Sequence, residues 1–257
     1  MAEIVIVANA EAAGEIAADA IAAQVLGNPE SVLGLATGST PLTTWKSLAA
    51  RGLDLSRVRG FALDEYVGLP KGHPESYRAV ITREVIEPLG LNPALVRVPG
   101  DDGPAQGAGE RYEEAIVAAG GVDLQILGIG RTGHIGFNEP GSSLASLTRV
   151  KTLTQQTRID NARFFPSLED VPTHCITQGL GTILRARHLV LLAFGSAKAA
   201  AVAAALEGAV SAGTPGSVVQ LHPRVTVILD EDAAAELEHA DYYRYAWDNR
   251  FEWERWS

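Results

Sequence analysis

The residues best suited to acid–base chemistry are concentrated between Gly128 and Gly141. This stretch follows a short apolar run and holds five glycines together with His134 and Glu139. Glycines let the backbone pass close to a ligand, and a carboxylate hydrogen-bonded to an imidazole orients the ring for proton transfer. We interpret the stretch as part of an active site; a structural histidine in a turn is the alternative. A metal site is disfavoured, because one histidine among scattered acids has no recognisable ligand spacing.

A second candidate is the acidic pair Asp64 and Glu65, which comes directly after an apolar run. We predict that the pair lies in a loop, residues 63–68, that follows a strand. In a cleft, burial raises the pKa of a carboxyl group toward the operating pH, which suits a general base. A solvated acidic turn is the alternative, but the flanking Phe61 and Tyr66 favour partial burial.

Three further segments are suited to holding an anion. One of them, residues 37–41, lies between an apolar run and a helix-like segment, so hydroxyls and the free N–H groups of a helix start would face the same point. Lys198 occupies a similar Gly-Ser turn, and Arg163 lies in the segment NARFF at residues 161–165. An N-capped turn and two surface cations are the alternative. The predicted anion-binding residues are Thr37, Gly38, Ser39, Thr40, Arg163 and Lys198.

The elements between these segments must bring them together. Short runs rich in valine, isoleucine and leucine alternate with helix-like segments, which predicts an α/β, Rossmann-like fold with an open, mainly parallel sheet and helices on both faces. The predicted strands are Ile4–Ala8, Val32–Ala36, Val58–Leu63, Leu124–Gly128, His188–Ala193 and Val225–Leu229. The predicted helices are Glu11–Leu26, Leu42–Arg51, Glu75–Glu87, Ala105–Ala119 and Ala197–Leu206. Ligands bind beyond the carboxyl ends of such strands, so we expect the candidate segments to meet there.

Composition narrows the function classes. The net charge is 21 − 31 = −10, which disfavours nucleic acid and anionic membranes as partners. A single cysteine, Cys175, together with an N-terminus unlike a signal peptide, leads us to expect a cytoplasmic protein. We predict one domain over residues 1–257, in which the aromatic-rich tail 241–257 forms a packed helix or an oligomer contact.

Longer motifs resemble the glucosamine-6-phosphate deaminase family. They are GLATGSTPL, FALDEYVGLPKGHPESY, LGIGRTGHIGFNEPGSSLAS, TRVKTL, ARFF, FGSAKA and VVQLHPRVTVILDEDA, and they occur in the family's order from about Ile4 to Ala235. The resemblance implies an enzyme that converts glucosamine 6-phosphate and water into fructose 6-phosphate and ammonia without a cofactor.

The resemblance also implies a role for each candidate residue. Asp64 would be the base that moves the C2 proton to C1 through an enediol-like intermediate. His134 would open the pyranose ring with the help of Glu139, while Glu65 would support the site and the predicted anion-binding residues would hold the phosphate. Thr132 departs from the family, in which an acid precedes the Gly-His pair, and would supply only a hydroxyl to the imidazole.

A regulatory site is implied as well. Allosteric members of the family bind N-acetylglucosamine 6-phosphate between the subunits of a hexamer. The matching residues here are Ser142, Ser143, Arg149 and Lys151, with Tyr245 as a candidate to complete the site. We therefore expect a homo-oligomer, a hexamer by resemblance. Stabilisation of the chain after the active-site loop is the alternative role.

Two other functions stay open at this stage. The sequence does not separate glucosamine 6-phosphate from its C4 epimer galactosamine 6-phosphate or from another amino-sugar phosphate. A non-catalytic sugar-phosphate-sensing module is disfavoured, because it would not need Asp64 and His134 together and because no basic helix-turn-helix flanks the motifs.

Overall fold

The computed structural model describes residues 3–251 and residue 254. Within them the chain forms ten β-strands: β1 Glu3–Val7, β2 Val32–Leu35, β3 Arg59–Ala62, β4 Asp64–Val67, β5 Val96–Arg97, β6 Leu124–Gly128, β7 Arg149–Thr152, β8 His174–Thr177, β9 His188–Ala193 and β10 Val225–Asp230. The α-helices are α1 Ala10–Gly27, α2 Leu42–Ala50, α3 Tyr77–Ile81, α4 Glu87–Leu89, α5 Ala108–Ala118, α6 Gln155–Asn161, α7 Leu180–Ile183, α8 Ala199–Leu206 and α9 Ala240–Asp248.

Seven of these strands form one parallel sheet in the order β1-β10-β9-β6-β2-β3-β5. All six predicted strands belong to it, and the α/β fold with a mainly parallel sheet is confirmed. All six residues of β9 and all four of β2 are buried, as expected for strands covered on both faces. The seventh strand, β5, was not predicted because its two residues are too few to show a pattern.

A second sheet of three antiparallel strands, in the order β4-β8-β7, was not predicted. The prediction that residues 63–68 form a loop is wrong: only Leu63 separates β3 from β4, so the chain passes directly from one sheet to the other. Asp64 and Tyr66 are buried and the residues between and after them are half-buried, which is the alternation of a strand with one covered face. The sequence concealed this strand because two adjacent acids disfavour the β conformation.

The predicted helix Glu75–Glu87 is divided. It consists of α3, a π-helical turn at Thr82–Ile86, and α4. A π-helical turn rotates the side chains that follow it and is often found at functional sites.

The C-terminal helix α9 packs against β1, the outer strand of the large sheet. Tyr243 and Trp247 contact the main core, whereas Tyr242 and Tyr245 are exposed. The rest of the predicted tail, residues 252–253 and 255–257, lies outside the described residues. No helix in the described part of the chain combines the length and the apolar character needed to cross a membrane.

Candidate active site

A cleft of about 800 Å³ opens where the strands of the large sheet end. Four segments that follow strands contribute to its wall, at residues 36–42, 63–66, 128–137 and 194–198. Residues from 75–84 and 157–165 form the rest. The structure therefore brings the candidate segments to one rim, and Asp64 and His134 line the same cleft.

Asp64 is a buried carboxyl group at the cleft floor. It is 6% exposed, and no hydrogen bond holds its side chain within the described chain. Burial, and to a smaller extent the charge of Glu65, raises the pKa of Asp64 to about 8. A carboxyl group with this pKa exchanges a proton near neutral pH, which suits a general base.

The loop that carries His134 is packed against Asp64. Gly136 has a φ of +54°, and a Cβ atom at this position would lie 2.9 Å from Thr177 Oγ1 and 3.5 Å from Asp64 Oδ2. Thr177 in turn lies opposite Asp64 in the small sheet and accepts a hydrogen bond of 3.1 Å from the Phe137 N–H. Only glycine combines this conformation with this approach, so the small sheet and the glycine-rich loop together fix where Asp64 lies.

A hydroxyl and a carboxylate contact the Nδ1 atom of His134. Its Nδ1 lies 2.8 Å from Thr132 Oγ1 and 3.3 Å from Glu139 Oε2, and the Thr132 hydroxyl donates to Glu139 over 3.1 Å. Neither Thr132 nor Glu139 lines the cleft, whereas His134 does. The imidazole is therefore the group that can reach a ligand, whereas Thr132 and Glu139, which the sequence analysis expects to assist His134, contact its ring and do not line the cleft.

Glu139 is buried and kept ionised. Burial acts to raise its pKa, but hydrogen bonding and the charge of His134, with the hydroxyls of Thr157 and Thr132, outweigh burial and lower the pKa of Glu139 to about 2. Its Oε1 accepts hydrogen bonds from Thr157 and, over 3.4 Å, from Thr154 at the start of α6. Asp64 and Glu139 thus have pKa values displaced in opposite directions, the pattern expected of two carboxyl groups with different tasks.

Glu65 has a structural role that the sequence did not reveal. Its Oε1 accepts hydrogen bonds from the N–H groups of Tyr66 (2.7 Å) and Tyr77 (2.8 Å), and its Oε2 accepts one from Arg78 (2.8 Å). Glu65 does not line the cleft. The sequence analysis expects Glu65 to support the site, and the structure shows how it can do so: its carboxylate binds the first turn of α3 and so positions Tyr77, which does line the cleft.

All six predicted anion-binding residues line the cleft: Thr37, Gly38, Ser39, Thr40, Arg163 and Lys198. Gly38 has a φ of +89°, and the space where a side chain would begin is open. Burial lowers the pKa of Lys198, and the charges of Arg131 and Arg163 add to this effect while Asp160 opposes it. These four charges therefore lie at one end of the cleft.

Several lining residues were missed by the sequence analysis. Arg131 stands next to Thr132, yet a lone arginine in a glycine-rich loop carries no signal of its own. Tyr77, Arg83 and Glu84 reach the cleft from α3 and the π-helical turn, whose geometry no sequence pattern indicated.

The five residues predicted for an activator site lie on different elements. Arg149 and Lys151 are on β7, where Arg149 donates to Asn138 Oδ1 over 2.8 Å. Ser142 is buried without a hydrogen bond to its hydroxyl, and Ser143 is exposed. Tyr245 is 67% exposed on α9, the helix that packs on β1 of the other sheet. Within the described chain, no cluster of three or more histidine, cysteine or acidic side chains is arranged to hold a metal ion.

The chain resembles known proteins in sequence and in fold. A family model described as glucosamine-6-phosphate isomerases/6-phosphogluconolactonase matches residues 6–228. Relatives named glucosamine-6-phosphate deaminase include one from Bifidobacterium longum, 58% identical over 99% of both chains, and one from Streptomyces avermitilis, 59% identical over 98% of this chain and 99% of its own. The solved structure of a monomeric glucosamine-6-phosphate deaminase superposes with a TM-score of 0.88 at 39% identity, covering 91% of this chain and 99% of that one.

Proposed function

The chain belongs to the family of glucosamine-6-phosphate isomerases and 6-phosphogluconolactonases, and from this premise we propose that it converts glucosamine 6-phosphate and water into fructose 6-phosphate and ammonia. The observation that carries the proposal is the cleft in which a buried carboxyl group, an oriented imidazole and a cluster of cations face one space. The activity is that of an isomerase and deaminase: the net reaction couples an aldose–ketose isomerisation to the replacement of the C2 nitrogen by the oxygen of water.

The first step needs a proton carrier at the ring oxygen. In the closed sugar, the C1 hydroxyl loses a proton, the C1–O5 bond breaks and O5 gains a proton. His134 is suited to perform this exchange, because Thr132 and Glu139 contact its Nδ1 while His134 itself lines the cleft. The ionised Glu139 also stabilises the imidazolium that forms during the transfer.

The second step moves a proton between neighbouring carbons. Asp64 removes the C2 proton of the open aldehyde while the aldehyde oxygen O1 gains the proton that the substrate's ammonium group loses, which gives the enediol-like intermediate. Asp64 then returns its proton to C1, and the C2–N bond becomes that of a protonated imine. Water then adds to C2, ammonia leaves and the ketone of fructose 6-phosphate remains. The raised pKa of Asp64 suits a carboxylate that must both accept and return a proton.

The phosphate group of the substrate positions the sugar in the cleft. Hydroxyls and backbone N–H groups of residues 37–40, with Arg163 and Lys198, offer donors for a phosphate group. Since the phosphate is remote from C1 and C2, its binding energy holds the reacting carbons against Asp64 without taking part in the chemistry.

The test is a product assay with two substrates. Purified protein is incubated with glucosamine 6-phosphate and, in parallel, with galactosamine 6-phosphate, and ammonia and ketose phosphate are quantified. We expect equimolar ammonia and fructose 6-phosphate from the first substrate, and slower release from its C4 epimer. Faster turnover of the epimer would reassign the substrate, and binding of both sugars without turnover would support a sensing role instead.

We also propose that copies of the chain associate and that N-acetylglucosamine 6-phosphate activates the assembly. The unpaired buried hydroxyl of Ser142 and the partly buried guanidinium of Arg149 leave donors available near the active-site loop. Light scattering should show an oligomer, and added N-acetylglucosamine 6-phosphate should lower the half-saturating substrate concentration. A monomer with hyperbolic kinetics indifferent to this ligand would contradict both parts.

A further inference from the structure

One residue at the anion end of the cleft has no role in the scheme above. Arg131 follows β6 in the glycine-rich loop, lines the cleft and lies close enough to Lys198 for its charge to lower the pKa of that lysine. It is one of three cations at this end, with Arg163 and Lys198, and its side chain is 52% exposed.

Arg131 is paired with an acid that also lines the cleft. Its Nη2 lies 2.6 Å from Asp160 Oδ1, and the same oxygen accepts a hydrogen bond of 3.0 Å from Gln156 Nε2, one helical turn earlier on α6. Asp160 is therefore held in place by its own helix. The guanidinium, by contrast, has further N–H donors besides the one that Asp160 accepts, and Arg131 lines the cleft.

We propose that Arg131 is a third phosphate-binding cation and that Asp160 competes with the phosphate for its guanidinium; the inference rests on the proposed function for the identity of the ligand. Lys198 and the three charged groups that act on it, Arg131, Arg163 and Asp160, carry a balance of +3 − 1 = +2. A phosphate monoester carries between −1.5 and −2 near neutral pH, so the group that fits this cluster is a dianionic phosphate.

The competition has a physical basis in the overall charge. The protein carries a net charge of −10, so its field opposes an anionic substrate and the local cations must overcome it. In the empty cleft, Asp160 reduces the mutual repulsion of the three cations. A bound phosphate replaces that function, and the planar guanidinium can turn from one oxyanion to the other.

A purely structural role for the pair predicts something different. If the ion pair only fastened α6 to the glycine-rich loop, loss of either partner would loosen the cleft in the same way. Competition predicts opposite effects, because removing Asp160 frees Arg131 for the phosphate, whereas removing Arg131 deletes a ligand. The two variants therefore separate the alternatives by the sign of their effect.

The experiment compares the full-length wild type with Arg131→Gln, Asp160→Asn and the double variant. Arg57→Gln serves as the matched control, because Arg57 forms an exposed ion pair with Glu30 and does not line the cleft. Calorimetry measures the Kd for inorganic phosphate, which needs no turnover. Steady-state kinetics with glucosamine 6-phosphate give KM and kcat separately, and thermal unfolding confirms that each variant is folded.

We expect Arg131→Gln to raise both the phosphate Kd and KM about tenfold, with kcat nearly unchanged. A tenfold change is at the lower end of the range for a charge-assisted contact, because the Arg131 side chain is half exposed. Asp160→Asn should lower both constants about threefold, and the double variant should match Arg131→Gln. Weaker binding by Asp160→Asn, or Arg131→Gln indistinguishable from Arg57→Gln, would overturn the inference.

Failure of the inference and failure of the proposed function are distinguishable. If the phosphate affinities follow the expected pattern but no ammonia is released, the phosphate site stands and the deaminase proposal fails. If ammonia is released but the affinities do not follow the pattern, the deaminase proposal stands and Arg131 is not a phosphate ligand.

Discussion

At the scale of single residues, the cleft separates two carboxyl groups by their surroundings. Asp64 is buried without a hydrogen bond to its carboxyl group in the described chain, so its neutral form is favoured. Glu139 is buried as well, but its carboxylate contacts an imidazole and accepts hydrogen bonds from three hydroxyls, so its charged form is favoured. The first can carry a proton near neutral pH and the second can hold a cation steady.

The pH dependence of the reaction should report Asp64. Because its pKa is raised to about 8, the carboxyl group is protonated below that pH and cannot act as a base. We expect kcat/KM to fall about tenfold for each pH unit below the pKa of Asp64. The positive charge of the bound substrate's ammonium group favours the ionised form of Asp64 and lowers its pKa. The acid limb of the kcat profile should therefore lie at lower pH than that of kcat/KM.

The control for this profile is the substrate itself, whose amine titrates in the same range and must be measured separately by NMR. A kcat/KM that stays constant from pH 6 to pH 9 after this correction would show that Asp64 is not the base.

Thr132 should matter through its hydroxyl. In Thr132→Val the hydroxyl that joins His134 Nδ1 to Glu139 is lost while the shape is kept. We expect kcat to fall about threefold to tenfold with little change in KM, the loss of one hydrogen bond in a network. Thr152→Val, at an exposed position of β7, is the control. Equal rates for both variants would show that the imidazole needs no such support.

At the scale of elements, Glu65 links the small sheet to a helix. Its carboxylate receives three backbone N–H groups, two of them from the first turn of α3. Glu65→Gln places an amide donor against these donors, so we expect the free energy of unfolding to fall by about 2 kcal/mol. Urea unfolding measures the loss. Glu114→Gln, an exposed change on α5, should be neutral, and equal stability of the two variants would refute the role.

Gly136 fixes the approach of the His134 loop to Asp64. Alanine at this position would bring Cβ to 2.9 Å from Thr177 Oγ1, in addition to the left-handed backbone that both Gly136 and Gly141 require. Gly141 has no atom within 4 Å of that point. We expect Gly136→Ala to be at least 1 kcal/mol less stable than Gly141→Ala and to lose kcat as Asp64 shifts. Equal unfolding midpoints and rates would contradict this packing.

The elements also show what the sequence could and could not predict. The six predicted strands are rich in apolar residues, as strands buried on both faces must be. Their predicted first and last residues agree with the structure to within two residues. β4 was hidden because Asp64 and Glu65 resemble a polar turn, and their strand exists only through pairing with residues distant in the chain. The role of Glu65 could not be predicted for the same reason: its carboxylate accepts hydrogen bonds from backbone N–H groups at the start of α3, which is distant in the chain.

At the scale of the whole molecule, a protein with a net charge of −10 brings several cations to one cleft. Parallel strands end on the same edge, so segments far apart in sequence contribute a buried carboxyl group, an imidazole and the cation cluster of Arg131, Arg163 and Lys198 to a single cleft. The sequence indicated which segments would meet, because the carboxyl ends of parallel strands share an edge. It did not indicate Arg131 or Tyr77, whose positions depend on a loop path and on a helix anchored from another sheet.

The most direct test of the account is the Asp64→Asn variant, studied by binding and by turnover together. Calorimetry with glucosamine 6-phosphate should give a Kd within a few fold of wild type, because the phosphate end is untouched. Ammonia release should fall by about 10²–10⁴-fold, the usual contribution of a general base. Near-normal ammonia release by a folded Asp64→Asn protein would contradict the assignment of the base and the mechanism built on it.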